Sequence, residues 1–229
     1  MQHERHAGPP GAGHHPAVEQ YLETILELEE SGIVPMRARL VERLGVSAPA
    51  VSETVKRLER EGYLTLDDDR VLHLTESGRG YATSVLRRHR LAELLLVDVL
   101  KVPWSQVHEE ACRLEHAISP RLEKYLVERL GDPGTCPHGN PIPGSAHPAK
   151  DETLTALSDV KAGDAATIRR IDEELEAHPD HMQTLESNKL LPGQKLQVSK
   201  VSGDVTTVTV DGVEVAVIDA IATKVYVAA

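Results

Sequence analysis

The tetrad Leu44-Gly45-Val46-Ser47 constrains this chain most, because it leaves room only for a tight turn between two stretches of helical pattern. A short helix runs from Pro35 to Leu44, and the segment APAVSETVKRLEREG predicts another. Ser47 suits its N-cap, Pro49 falls in the first turn where the missing N–H does no harm, and Gly62 is a good stop. Two helices joined by a short glycine-containing turn form a helix-turn-helix. The β-prone runs Tyr63-Leu64-Thr65-Leu66 and Val71-Leu72-His73-Leu74 flank Asp67-Asp68-Asp69-Arg70, which predicts a hairpin. Upstream, Val18, Tyr21, Leu22, Ile25, Leu26 and Leu28 recur at helical spacing up to Gly32. Together these predict a winged helix-turn-helix over residues 17–75, after a Gly-, Pro- and His-rich tail over 1–16.

Thr75-Glu76-Ser77-Gly78 caps a long helix expected to reach about Leu100. Another begins at Pro103, Ser119-Pro120 breaks it, and a further helix closes at Gly131, giving a helical domain over 76–140. The stretch DPGTCPHGNPIPGSAHPAKD reads as a linker or an ordered surface loop, with the linker proper at 141–152. KLQVSKV, TTVTV, VEVAVI and KVYVA then alternate around Gly203-Asp204 and Asp211-Gly212 turns, predicting a small β-barrel within 153–229. The fold class is mainly α with β.

A composition 40% hydrophobic and 27% charged supports a core and excludes a disordered chain. No uncharged apolar stretch approaches the roughly 18 residues of a membrane helix. The polar N-terminus has no signal core, so a cytoplasmic protein is expected. Two cysteines exclude a disulfide framework. The net charge of −11 argues against nucleic acid, but residues 35–90 carry 11 Lys and Arg against 8 Asp and Glu, a locally basic module on an acidic body.

His89 and Glu93 share one helix face, and His108, Cys112, Glu115 and His116 share one face of the next helix. Imidazoles, a thiol and carboxylates on packing faces are costly unless each is paired, and a divalent cation pairs them all. Mixed N, O and S donors suit a transition metal and not calcium or magnesium.

The strings YLETILELEE, PMRARLVERLGVSAPAVSETVKRLEREGYL, RRHRLAELLL, VHEEACRLEHAIS and GNPIPG resemble the diphtheria toxin repressor or iron-dependent regulator family over about Val18 to Gly144. The resemblance implies a winged helix, a helical dimerisation and metal domain, and an SH3-like β-barrel, in that order. It implies a primary metal site of Cys112, Glu115 and His116, completed from the first helix. Gln20 stands where iron-type members carry methionine, and Glu23, one turn on, matches a carboxylate of manganese-type relatives; either could complete the set. An ancillary site would use His89, Glu93 and His108, with two side chains from the SH3-like domain that align with His178 and His181. The thiolate of Cys112, where manganese-type members have a carboxylate, favours Fe(2+) over manganese. By the Irving–Williams order cobalt, nickel and zinc should also activate in vitro.

The same resemblance makes the third helix the recognition helix, with Ser47, Ala48, Pro49, Ala50, Ser52 and Glu53 toward the major groove. Its small residues favour thymine methyl contacts and shape readout. Several members carry glutamine where Glu53 stands, so the usual base contact is altered here. Arg37, Arg39, Lys56, Arg57 and Arg60 are candidate phosphate clamps, with Arg70 on the wing. Histidines of the tail, His73, His138 and His147 carry no expected ligand role.

The reading that follows is a homodimeric, iron-activated repressor of palindromic operators of iron-homeostasis genes, not an enzyme, with a manganese-activated regulator as the alternative. A metallohydrolase is the rival from another class, since His108-Glu109-Glu110-Ala111-Cys112 reads as HExxC with Glu109 as base. A metal-independent DNA-binding module with structural His and Cys is the third.

Overall fold

The chain was analysed as a computed structural model, which describes residues 16–150 and 152–228. It divides into two compact units, with the boundary between Val85 and Leu86.

The first unit holds α1 (Pro16–Glu30), α2 (Arg37–Leu44), α3 (Ala48–Arg60) and a hairpin of β1 (Leu64–Leu66) and β2 (Leu72–Leu74). Gly45 takes the left-handed conformation at φ 63° that ends α2, and its N–H bonds to the Val41 carbonyl. Ser47 caps α3 by accepting from the Ala50 N–H at 3.4 Å. The apolar stripe is realised: Leu22, Ile25, Leu40, Val51, Val55, Leu58 and Leu72 are fully buried. The hairpin pairs Leu64 with Leu74 and Leu66 with Leu72. Asp67 pins its turn, accepting from the Val71 N–H and pairing with the His73 ring, both at 2.8 Å. The hydrogen bond from His73 lowers the Asp67 pKa. These elements make the winged helix.

α4 (Glu76–Leu94) begins in the first unit, and its later turns belong to the second. The helix does not continue as α to Leu100; residues 95–99 form a π turn. The stretch after Pro103 is likewise split into a 3₁₀ turn (Trp104–Gln106), α5 (Val107–Leu114) and a second 3₁₀ turn (Glu115–Ala117). α6 (Pro120–Leu130) starts and stops where the sequence indicates, capped by Ser119 and closed by Gly131 at φ 78°. Ala92, Leu96, Val107, Ala111, Ile118 and Leu126 form the core beneath these helices.

The remaining elements are β3 (Thr155–Ala156), β4 (Ala165–Ile171), α7 (Glu173–Glu176), α8 (Pro179–Ser187), β5 (Lys195–Ser202), β6 (Val205–Val210), β7 (Val213–Ile218), α9 (Asp219–Ala222) and β8 (Val225–Ala228). The strands make one antiparallel sheet ordered β3-β8-β4-β5-β6-β7. Register shifts at Ile168/Arg170 and Val198/Lys200 bend it, as a small SH3-like sheet requires. It encloses Ile168, Leu175, Leu185, Val198, Val208 and Val227. Trp104 from the helical segment packs into that same core, so the helices and the sheet of the second unit are continuous.

The Pro- and Gly-rich stretch after Gly131 is ordered but is not a surface loop. Cys136, His138, Asn140 and Ile142 are each under 5% exposed. The His138 carbonyl accepts from the Ile171 N–H at 2.8 Å, and the Asn140 amide donates to the Ile171 carbonyl at 2.9 Å, which docks the loop on the end of β4. A Cβ on Gly139 would lie 1.9 Å from the Arg169 carbonyl, and its φ of +87° also demands glycine.

Candidate metal centre and DNA-binding surface

α4 and α5 bring His89, Glu93, His108 and Cys112 together in the second unit. The spacing of four places His89 and Glu93 on one face of α4, with His89 Nε2 3.4 Å from Glu93 Oε1. His108 and Cys112 do the same on α5, with Sγ 3.6 Å from His108 Nε2, and the His89 and His108 rings meet edge-on at 5.0 Å.

The structure adds three residues to this set. Glu176, at the end of the one-turn α7, stands with its Oε2 3.4 Å from His108 Nδ1, and ligand atoms of His89, Glu93, His108 and Glu176 lie within 4.8 Å of one another. His138, fully buried, places Nδ1 3.0 Å from Glu93 Oε1 and 2.9 Å from Glu176 Oε2. Cys136 groups with Glu93 and His138 on the same 4.8 Å scale.

His178 and His181, aligned with the ancillary site by sequence, do not join it. Their rings face each other at 5.4 Å, and neither falls in a group of potential ligand atoms among the described residues. His178 is exposed at the N-cap of α8, because the turn that reaches the cluster is the preceding one. A different pair three apart occupies that side: Glu176 enters the cluster, and Glu173 accepts from buried Arg90 at 2.9 Å.

Of the expected primary set, Glu115 is buried against the His89 Nδ1 at 2.6 Å and lies 3.3 Å from His116 Nε2. Cys112 faces His108 and His89, so His89 stands between the two expected sites. Gln20 and Glu23 lie one turn apart on α1, in the first unit, with Gln20 exposed.

Burial opposes charge on every group here, and at all but Cys136 the neighbours prevail. The nearby Cys112, Glu115 and Glu93 hold the His89 imidazole well above its usual pKa. Cys112 and Glu176 raise His108 to about 10, and the carboxylates of Glu176 and Glu93 raise His138. Those imidazoles in turn hold Glu93 well below the carboxylate range. Desolvation would raise the Cys112 thiol, but His108 and His89 bring it down to about 6, whereas desolvation and Glu93 push Cys136 up to about 12.

The donor set fits a divalent transition metal. His89 Nε2, Glu93 Oε2, His108 Nδ1 and Glu176 Oε2 are buried and make no well-aligned hydrogen bond, although imidazole and carboxylate approach one another at 2.9–3.4 Å, and ligand atoms of the four residues lie within 4.8 Å of one another. Several unsatisfied buried polar atoms in one place would be costly without a common electrophilic partner. A cavity of about 460 Å³ bordered by Ser105, Gln106, His108, Cys112, Glu176 and Pro179 opens beside them. Glu109, the base an HExxC hydrolase would need, borders the same cavity but is exposed and paired with Arg113. It stands outside the cluster.

In the first unit, α3 exposes Ala48, Pro49, Ala50, Glu53, Lys56 and Arg60, with Ser52 and Arg57 half-buried. Ser47, also exposed, is engaged in its cap. On α2, exposed Arg39 pairs with Glu42 at 2.8 Å and Arg37 is half-buried. Arg70 sits at the wing tip in the left-handed region, φ 63°.

A helix-turn-helix with a wing, followed by a helical unit with a buried His/Cys/carboxylate cluster, defines a DNA-binding protein that carries a candidate metal centre. Family models match nearly the whole described chain: the iron dependent repressor N-terminal DNA binding domain over residues 15–72, the iron dependent repressor metal binding and dimerisation domain over 75–144, and the FeoA domain over 155–229. The chain is 43% identical over 205 residues to the iron-dependent repressor IdeR of Mycobacterium tuberculosis, covering 86% of this chain and 89% of that one. It is 40% identical over 211 residues to the diphtheria toxin repressor of Corynebacterium diphtheriae, covering 89% and 93%. Among solved structures, a manganese-dependent transcriptional repressor in complex with manganese superposes with a TM-score of 0.83 at 32% identity, covering 93% of this chain and 99% of that one. The manganese regulator SloR follows at 0.75 and 31%, covering 92% and 97%. The chain belongs to the iron-dependent repressor family.

Proposed function

We propose that this chain is an Fe(2+)-activated, homodimeric transcriptional repressor that binds palindromic operators of iron-homeostasis genes. The observation that carries the reading is the buried cluster around His89, Glu93, His108 and Glu176, whose potential ligand atoms converge within 4.8 Å in a chain that also bears a winged helix. IdeR and the diphtheria toxin repressor, similar along most of their length, support the assignment to iron and to repression.

Two thiols near the cluster, Cys112 and Cys136, favour a borderline ion over a hard one. His89, Glu93, His108 and Glu176 would hold one ion, with His138 and Cys136 as adjoining donors; Cys112, Glu115 and His116 would serve a second. A bound cation would supply the positive charge that lets imidazoles, thiolate and carboxylates stay close without their protons. The chain's own part is to keep the donors converged. α4 and α5 fix three of them by helical spacing, and the loop held to β4 fixes His138. For DNA, α3 would enter the major groove, with Arg39, Lys56 and Arg60 on phosphates and dimer symmetry matching operator symmetry.

A gel-shift titration under anaerobic conditions tests this: operator DNA should be retained with ferrous ion and released by chelator. Retention with manganous but not ferrous ion would assign the chain to manganese, as in the neighbouring solved structures. Metal-independent retention would make the cluster structural, and metal-dependent ester or peptide hydrolysis would restore the hydrolase reading.

A further inference from the structure

α3 presents a nearly featureless surface at its start. Ala48, Pro49 and Ala50 are exposed but offer only apolar contacts, and the Ser47 hydroxyl caps the helix. One exposed side chain in the first two turns carries a charge, and it is an anion, Glu53. Lys56 and Arg57 lie three and four residues on, where helix pairing is common, yet Glu53 takes part in no hydrogen bond or ion pair among the described residues. The exposed carboxylates of Glu42, Glu109 and Glu110 are each tied to an arginine, whereas those of Glu59 and Glu61, at the far end of α3, make no side-chain bond among the described residues; Glu53 differs from these two in standing on the first two turns of the helix.

A free carboxylate on a surface meant for a polyanion weakens contact with every phosphate it approaches, so it must be offset by something that DNA offers at one place only. A carboxylate can only accept. In the major groove, guanine N7 and O6 and thymine O4 are acceptors and would repel it; adenine couples its N6 donor to the N7 acceptor; cytosine N4 presents a donor with no acceptor beside it on that base. We propose that Glu53 is a specificity-determining residue that selects a cytosine in each operator half-site and disfavours DNA lacking it. This rests on the DNA-binding reading above and specifies what that surface recognises.

The test is selection from a randomised duplex DNA library by the full-length protein loaded with ferrous iron, beside Glu53→Gln and Glu53→Ala. Both substitutions are at an exposed position, and circular dichroism checks that the fold is kept. The native chain should enrich cytosine at one position per half-site by roughly tenfold over other bases. Glu53→Gln should shift that position toward adenine, and Glu53→Ala should flatten it, with both variants binding random DNA more tightly. An enriched motif identical in all three proteins overturns the proposal while leaving operator binding intact. Failure of the native, metal-loaded chain to enrich any sequence overturns the parent reading as well.

Discussion

The indole of Trp104 meets the ring of His138 edge-on, their centroids 4.6 Å apart, and His138 in turn lies 3.0 Å from the Glu93 carboxylate. Trp104 is the single tryptophan of the chain, and its indole N–H is engaged with the Pro137 carbonyl at 3.0 Å. Its emission therefore reports on His138 without labelling. Adding ferrous or cobaltous ion to the metal-free protein should quench it, and His138→Ala should remove that response while weakening metal binding on the order of 10- to 100-fold. An unchanged titration in the variant would place the ion away from this histidine.

Glu176 and the His178/His181 pair make opposite claims on the same role. Glu176→Gln removes a buried carboxylate that contacts His108 and His138, so bound metal should fall by one ion per subunit at moderate ion concentrations. The double substitution of His178 and His181 to Ala should leave the metal content unchanged. Elemental analysis after gel filtration reads both, and the reverse pattern would return the role to the histidines.

Metal uptake should release protons. His108 is raised to about 10, and His89 and His138 are also raised, so these imidazoles hold protons at neutral pH that an ion must displace. Affinity should increase with pH by roughly tenfold per unit for each proton displaced, up to the imidazole pKa values. Calorimetry in buffers of differing ionisation enthalpy counts the protons. Affinity independent of pH between 6 and 8 would show that the imidazoles are neutral before the ion arrives.

The two thiols should behave differently toward an alkylating agent. Cys112, lowered to about 6 and half-buried, should react at neutral pH, whereas Cys136, raised to about 12 and buried, should not. Ferrous ion should protect Cys112. Cys112→Ala should abolish metal-dependent operator retention with the fold intact, and Cys112→Asp should retain binding while moving preference toward manganese. Equal response of the Asp variant to both metals would locate selectivity in other donors.

What the sequence discloses here follows the range of the interaction. Ser47, Gly45 and the apolar stripe of α3 are local signals, and the winged helix follows from them. His89, Glu93, His108 and Cys112 are legible because helical spacing converts sequence intervals into shared faces. His138 carries no such signal: it lies between a proline and a glycine in an aperiodic stretch, and its burial results from docking on β4 and Trp104. Glu176 sits in a run of acidic residues that reads as solvated surface, while the nearby His178-Pro179-Asp180-His181 resembles a ligand pair more closely. β4 is hard to see for a related reason, since AATIRRI interrupts its alternation with two arginines, one of which stacks on Tyr226 at 4.4 Å.

The docking of His138 on the end of β4 has a consequence for how the protein is made. A ribosome synthesises the winged helix first, then α4 and α5 with three of the donors, but the Ile171 N–H that holds the loop and the Glu176 carboxylate emerge some eighty residues after His89. A nascent chain, or one cleaved between the helices and the sheet, would carry the DNA-reading surface without a finished ion site. On the reading proposed above, responsiveness to metal would then be a late attribute of the polypeptide, acquired only after most of it has been translated.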